Sequence, residues 1–135
     1  MLMPKKTKHR KMHKAKRGGK ASSLLNVDFG SYGLKSMEAC WISSRQIEAA
    51  RRVIAKYTKK NGKIWIRIFP DRSVTQKGGE IPMGKGKGAV DHYICPVKPG
   101  MIMYEIDGLT EEQSLQALNL AAYKLPVKCK IVKKD

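Results

Sequence analysis

"KIWIRIF", residues 63–69, alternates apolar and mixed side chains with a period of two, and it decides that the chain is built around a sheet. Ile64, Ile66 and Ile68 share one face, which must be core. Lys63, Trp65, Arg67 and Phe69 share the other. Two readings of that second face stand side by side. Its aromatics stack on bases while its cations lie along a ribose–phosphate backbone, or Trp65 and Phe69 cover a small second core while the cations reach past them to water.

Upstream, "SSRQIEAARRVIAKYTKKNG" (43–62) reads as a helix with marked ends. Ser43 and Gln46 have the spacing of a capping box, and Asn61-Gly62 supplies a left-handed stop. Ile47, Ala50, Ile54 and Tyr57 fall on one face, which should pack on the sheet. Arg45, Arg52, Lys56 and Lys59 gather on another, and Glu48 is placed to pair with Arg52 one turn on. A basic helix face is commonly just solvated, but here it shares its sign with two other segments, which favours phosphate contact. Before the helix, "LKSMEACWI" (34–42) alternates loosely and reads as one strand.

Downstream, Pro70 opens a loop of nearly twenty residues (70–88) with room for a short hairpin. "AVDHYICPV" (89–97) and "MIMYEID" (101–107) read as two strands joined by a turn at Lys98-Pro99-Gly100. "TEEQSLQALNLAAYKL" (110–125) is a second helix. Thr110 and Gln113 form its capping box, Glu111 and Glu112 sit at its positive end, and Leu115, Leu118, Ala122 and Leu125 form its buried face. Pro126 ends it, and "VKCKIV" (127–132) closes the domain as a strand with Val127, Cys129 and Ile131 inward. The order β-α-β, loop, β-β-α-β predicts a single α+β domain over 23–135, with two helices on one face of a mixed sheet.

Charge narrows the function. In 135 residues, 28 Lys+Arg stand against 11 Asp+Glu, a formal net charge of +17. Self-repulsion on that scale calls for a polyanionic partner. No apolar run approaches the roughly 20 residues needed to span a bilayer, so nucleic acid is a better partner than membrane. Residues 1–22 form a basic arm. Lys5, Lys6, Lys8, Arg10, Lys11, Lys14, Lys16 and Arg17 occur there without a single acid, beside His9 and His13. Such a segment has little to bury, so it is expected to thread along phosphates and become ordered on RNA. His9 and His13 are spaced for one helix face, but no third metal ligand lies near them. Three widely spaced cysteines, Cys40, Cys95 and Cys129, form no CxxC pair and suggest neither zinc nor a disulfide framework.

The loop "PMGKGKGAV" (82–90) needs a separate test, because glycine–lysine runs also cradle nucleotides. "GEIPMGK" (79–85) meets the first part of the Walker pattern, but Gly86 stands where a hydroxyl should hold magnesium, and a strand follows where a helix must open. Gly84, Gly86 and Ala89 give a weak dinucleotide fingerprint with the same fault. His92 beside Asp91 is the only His–carboxylate neighbour pair, and Cys95 falls on the opposite strand face, so no Cys–His dyad is expected. The sequence offers no enzyme, no cofactor and no small-molecule substrate. What remains is phosphate binding by backbone N–H groups and lysines across Pro82, Met83, Gly84, Lys85, Gly86, Lys87 and Gly88.

Taken together, "MLMPKKTKHRKMHK", "SSRQIEAARR", "GKIWIRIFPDRSVTQK", "MGKGKGAVDHY", "VKPGMIMYEIDG" and "AAYKLPVK" resemble the bacterial and organellar uL-sixteen family of large-subunit ribosomal proteins, in order and over essentially the whole chain. The resemblance implies an α/β-hammerhead-type fold. It implies binding to large-subunit rRNA beside neighbouring large-subunit proteins, with the glycine–lysine loop reaching toward A-site tRNA near the peptidyl transferase centre. It implies support of tRNA positioning and of late subunit assembly, without catalysis. Where the family carries Arg before the Met-Gly of the loop, this chain has Pro82, which removes one cation from the tip. The preceding "GGEIP" is also more acidic and glycine-rich than the family's stretch. An arm that starts at Met1 leaves no presequence, which favours a bacterial cytoplasm or an organelle that encodes the gene. A free-standing RNA-binding module, such as a translational regulator, is the alternative.

Overall fold

The computed structural model describes residues 2–14, 18–59, 61–76 and 86–135. Among them are β1 (Tyr32–Ser36), β2 (Cys40–Ser43), α1 (Ser44–Thr58), β3 (Lys63–Ile66), β4 (Arg72–Thr75), β5 (Val90–Val97), β6 (Ile102–Asp107), α2 (Glu111–Ala122) and β7 (Cys129–Lys133). The α+β class stands, but the single mixed sheet does not. The strands form two sheets, β3-β6-β1-β7 and β2-β5-β4, and every hydrogen-bonded pair is antiparallel.

The second sheet exists because the expected strand 34–42 is two strands. Ser36 is fully buried, and its hydroxyl donates to the Glu38 carbonyl at 2.7 Å, which turns the chain between β1 and β2. β1 then lies at the centre of the four-stranded sheet, while β2 pairs with β5 from Cys40↔Val97 to Ser43↔Ile94. Loose alternation cannot distinguish one strand from two that belong to different sheets. The long loop also contributes a strand: β4 pairs with β5 through Arg72↔Ile94 and Val74↔His92.

Both helices begin where their capping boxes put them. The Ser43 hydroxyl accepts from the Gln46 N–H at 3.3 Å, and Gln46 Oε1 accepts from the Ser43 N–H at 2.9 Å. Thr110 and Gln113 make the same exchange. The end of α1 differs from expectation. The left-handed residue is Lys59, at φ 30°, rather than Asn61-Gly62. Gly62 is needed for space instead: a Cβ there would lie 2.8 Å from the Thr58 side chain, directly over the helix end.

The buried face of α1 holds Ile47, Ala50 and Ile54, as expected, with Ser44 and Thr58 completing it; Tyr57 is only half-buried. The expected buried face of α2 stands in part: Leu118 is buried, and so is Leu125 just beyond the helix end. Ser114, Ala117, Leu118 and Ala121 are buried, whereas Leu115 is exposed and Ala122 lies at the margin. α1 packs against α2, and small buried residues allow two helices to approach closely. Leu34, Ile42, Ile54, Val97, Tyr104, Ile106 and Leu118 join both sheets and both helices in one core. Within it the Tyr104 hydroxyl donates to the Ile47 carbonyl at 2.8 Å, tying β6 to α1. Burial raises the Tyr104 hydroxyl pKa above its ordinary value, so it stays a donor.

Candidate nucleic-acid interface

The arm over 2–14 is irregular, and it is packed against the three-stranded sheet. Its side chains sort by polarity. Leu2 packs against the core cluster and Met12 is half-buried, while Lys5, Lys6, Lys8, His9, Arg10, Lys11, His13 and Lys14 are all exposed. Met3 is exposed as well, so the anchoring falls to Leu2 and Met12, and the cations face outward between them. Leu2 and Met12 are the side chains that lie against the domain over these residues. Lys16 and Arg17 lie outside the described residues.

The arm crosses the root of the glycine–lysine loop. Lys11 Nζ donates to the Lys87 carbonyl at 3.1 Å, and Lys87 Nζ donates back to the Met12 carbonyl. Arg72, on β4, donates to the His13 carbonyl at 3.2 Å, and the Lys14 ammonium sits 5.7 Å from the centre of the Trp41 ring. Gly86 is left-handed at φ 87° and exposed, Lys87 is exposed, and Gly88 is half-buried. Pro82, Met83, Gly84 and Lys85 lie outside the described residues.

At its other end the arm meets the start of α1. Leu2, Met3, Arg10, Ser43, Arg45 and His92 line an open cleft of about 760 Å³, which brings Arg10 and Arg45 to one surface. Arg52, Lys56 and Lys59 follow along the helix, all exposed. The expected Glu48–Arg52 pair is present at 3.3 Å, but Glu48 is bonded more closely to Arg51, which takes both carboxylate oxygens. The Arg51 hydrogen bond holds the Glu48 pKa down at about 2. Arg45, Lys56 and Lys59 pair with no carboxylate among the described residues.

The KIWIRIF face resolves into parts. Lys63 is exposed, and Trp65 is half-buried and stacked on Phe29, with ring centres 6.1 Å apart. Phe69 remains exposed. Arg67 turns inward. Its guanidinium donates to Glu105 Oε2 at 2.8 Å and to the Asn26 carbonyl at 2.6 Å, reaches Asp28 at 3.2 Å, and lies over the Phe29 ring. That set of partners gives Arg67 a structural task. Glu105, fully buried, also accepts from the Phe29 and Gly30 N–H groups at 2.7 and 2.9 Å. The sequence reading missed Glu105, although an acid inside the apolar run "MIMYEID" was the available signal. It also passed over Arg72, whose signal was alternation with Val74 in "RSVT" beside a basic loop.

Among the described residues, no group of three or more His, Cys, Asp or Glu is placed to hold a metal ion, and no helix is long and apolar enough to cross a membrane. The His92 ring and Asp91 are 2.7 Å apart on the surface, and the three cysteines are free. Burial pushes the Cys95 and Cys129 thiols up to about 11, which leaves them protonated and poor nucleophiles.

A small α+β frame with an outward-facing cation arm has the electrostatic footprint expected of a nucleic-acid-binding protein. Comparison with known proteins makes the class specific. The chain belongs to the ribosomal protein L16p/L10e family, which it matches over residues 4–132. It is 52% identical over 135 residues to large ribosomal subunit protein uL16c of Emiliania huxleyi, covering 100% of this chain and 98% of that one. It is 54% identical over 136 residues to uL16c of Thalassiosira pseudonana (100% and 99%), and 52% over 134 residues to uL16 of Spiroplasma kunkelii (99% and 98%).

Proposed function

We propose that this chain is a structural constituent of the large ribosomal subunit that binds large-subunit rRNA and performs no catalysis. The observation that carries this reading is the arm itself: Leu2 and Met12 lie against the domain while its cations face outward, in a chain of net charge +17 whose relatives at 52–54% identity are named large-subunit proteins. The contact surface is the arm with Arg45, Arg52, Lys56 and Lys59 of α1, joined at the loop root by Lys87. Lys63 extends it on the other sheet, where half-buried Trp65 offers an edge rather than a free face. Arg67 supports the fold beneath.

The finer part of the proposal concerns residues 82–88. They reach A-site tRNA near the peptidyl transferase centre, position it, and assist late subunit assembly, on ribosomes of a bacterial cytoplasm or an organelle matrix. Glycines let the main chain approach phosphate closely, and the lysines neutralise it. Sucrose-gradient sedimentation tests the main claim: the protein is expected to run with large subunits at physiological salt, and its staying at the top overturns the proposal. Deleting residues 82–88 tests the finer one. Folding should survive and A-site tRNA binding should weaken; unchanged tRNA binding rejects the loop assignment.

A further inference from the structure

We infer that the cleft between the arm and β4 is a cradle for one backbone phosphate of RNA, with Arg72 as its central ligand. The inference rests on the rRNA-binding reading and adds a site to it. The cleft holds about 370 Å³, at the lower end of the roughly 300–1,000 Å³ typical of ligand sites. Met12, Lys14, Trp41, Arg72, Thr75 and Lys87 line it, so its cations come from three separate segments: the arm, β4 and the loop root. Among the described residues no carboxylate lines it.

Three cations brought together without an acid repel one another, and the hydrogen bonds present leave that repulsion unrelieved. Among the described residues, Lys87 and Arg72 donate to neutral main-chain carbonyls of the arm, those of Met12 and His13. Arg72 also has capacity to spare: its Nε is buried and has no hydrogen-bond partner among the described residues. A buried N–H donor without an acceptor costs free energy comparable to a lost hydrogen bond. A phosphate oxygen supplies that acceptor. Arginine's planar fork suits phosphate by a two-point contact from Nε and one terminal nitrogen, and such charge-assisted bonds are about twice as strong as neutral ones. Lys14 and Lys87 then neutralise the remaining oxygens from either side. Thr75 adds a hydroxyl at the rim. One phosphate so held would bridge arm to loop root, so the two segments should bind RNA as a coupled unit.

The test is a titration of the full chain, labelled with ¹⁵N, at low ionic strength. Inorganic phosphate and a single-stranded uridine tetranucleotide are the two probes. The Arg72 Nε–H resonance should shift saturably with both, and at several-fold lower concentration with the tetranucleotide. A linear drift that never saturates means screening only and overturns the site. Tighter binding of inorganic phosphate overturns the assignment to RNA. Arg72→Lys keeps the charge but removes the fork, and it should weaken saturation at the Met12 and Thr75 amides by about tenfold. Lys87→Gln, which removes no buried group, should weaken it by several-fold, so a misfolded Arg72 variant does not rescue the idea. Binding of a large-subunit rRNA fragment separates the two levels. If Arg72→Lys binds that fragment with unchanged affinity and salt dependence, the cradle is wrong and the rRNA reading stands. If the chain ignores the fragment while phosphate still saturates at Arg72, the cradle stands and the rRNA reading falls.

Discussion

Arg67 meets Glu105 at 2.8 Å inside the protein, with 9% of the arginine side chain and none of the glutamate accessible to water. The pair fastens the segment before β1 to β6, because Glu105 also holds the Phe29 and Gly30 N–H groups and Arg67 holds the Asn26 carbonyl. Removing one member leaves the other as a buried, uncompensated charge, which typically costs about 3–5 kcal/mol. Arg67→Ala should therefore lower the stability in urea unfolding by about 3 kcal/mol. At temperatures where it is folded, its salt dependence of RNA binding should match the parent. A salt slope smaller by about one would instead make Arg67 a phosphate ligand.

Glu48 gives a prediction in pH. Its hydrogen bond from Arg51, with a further bond from Arg52, holds its pKa near 2 in the folded protein, below the 4.5 of the unconstrained group. A depressed folded pKa stabilises the native state above the unfolded value and loses that contribution as pH falls through the folded one. The gap in urea midpoint between parent and Glu48→Gln should be constant above pH 5, shrink between about 4.5 and 2, and close below that. A gap that persists at pH 2 would show that packing, not charge, carries the effect.

The thiols offer a kinetic test. Cys95 and Cys129, raised to about 11 by burial, are only about one part in a thousand thiolate at pH 8, since three pH units separate the two values. Alkylation of both by iodoacetamide should follow local opening, accelerating with submolar urea well before global unfolding. Rapid labelling of Cys95 in native buffer would contradict the packed β5 described above.

How much of this was legible in the sequence depended on the range of the interaction. Capping boxes at Ser43 and Thr110 involve residues three apart, so both helix starts could be read directly. The isoleucines of KIWIRIF showed their face because a period of two survives in any sheet. Which sheet a strand joins is decided by partners far along the chain: β2 pairs with β5 more than fifty residues on, and nothing local in "LKSMEACWI" encodes that. The same limit governed the site. Net charge pointed to the arm, the α1 face and the loop as candidates, but the different surroundings of Arg67 and Arg72 were not legible in it. A carboxylate 38 positions away satisfies one, and the other has a buried donor with no partner among the described residues. On α2 the pattern of leucines found Leu118 and Leu125 but not Ser114, Ala117 and Ala121, because small residues carry no apolar signal of their own.

The sorting of the arm separates two effects that its deletion would merge. Leu2 lies on the core cluster and Met12 closes the cleft beside Trp41, so both side chains act through burial. Lys5 and Lys6 are exposed and bonded to nothing among the described residues, so they act through charge alone. Leu2→Ser with Met12→Ser should release the arm. That would lower stability by about 1–3 kcal/mol, as loss of two partly buried apolar groups implies, and raise protease sensitivity over residues 2–14. Lys5→Gln with Lys6→Gln should leave the urea midpoint within error and instead reduce the salt slope of rRNA binding by about two. If the serine pair changed the salt slope alone, with stability and proteolysis untouched, the arm would not be docked on the sheet in the free protein. Its order would then come entirely from the RNA.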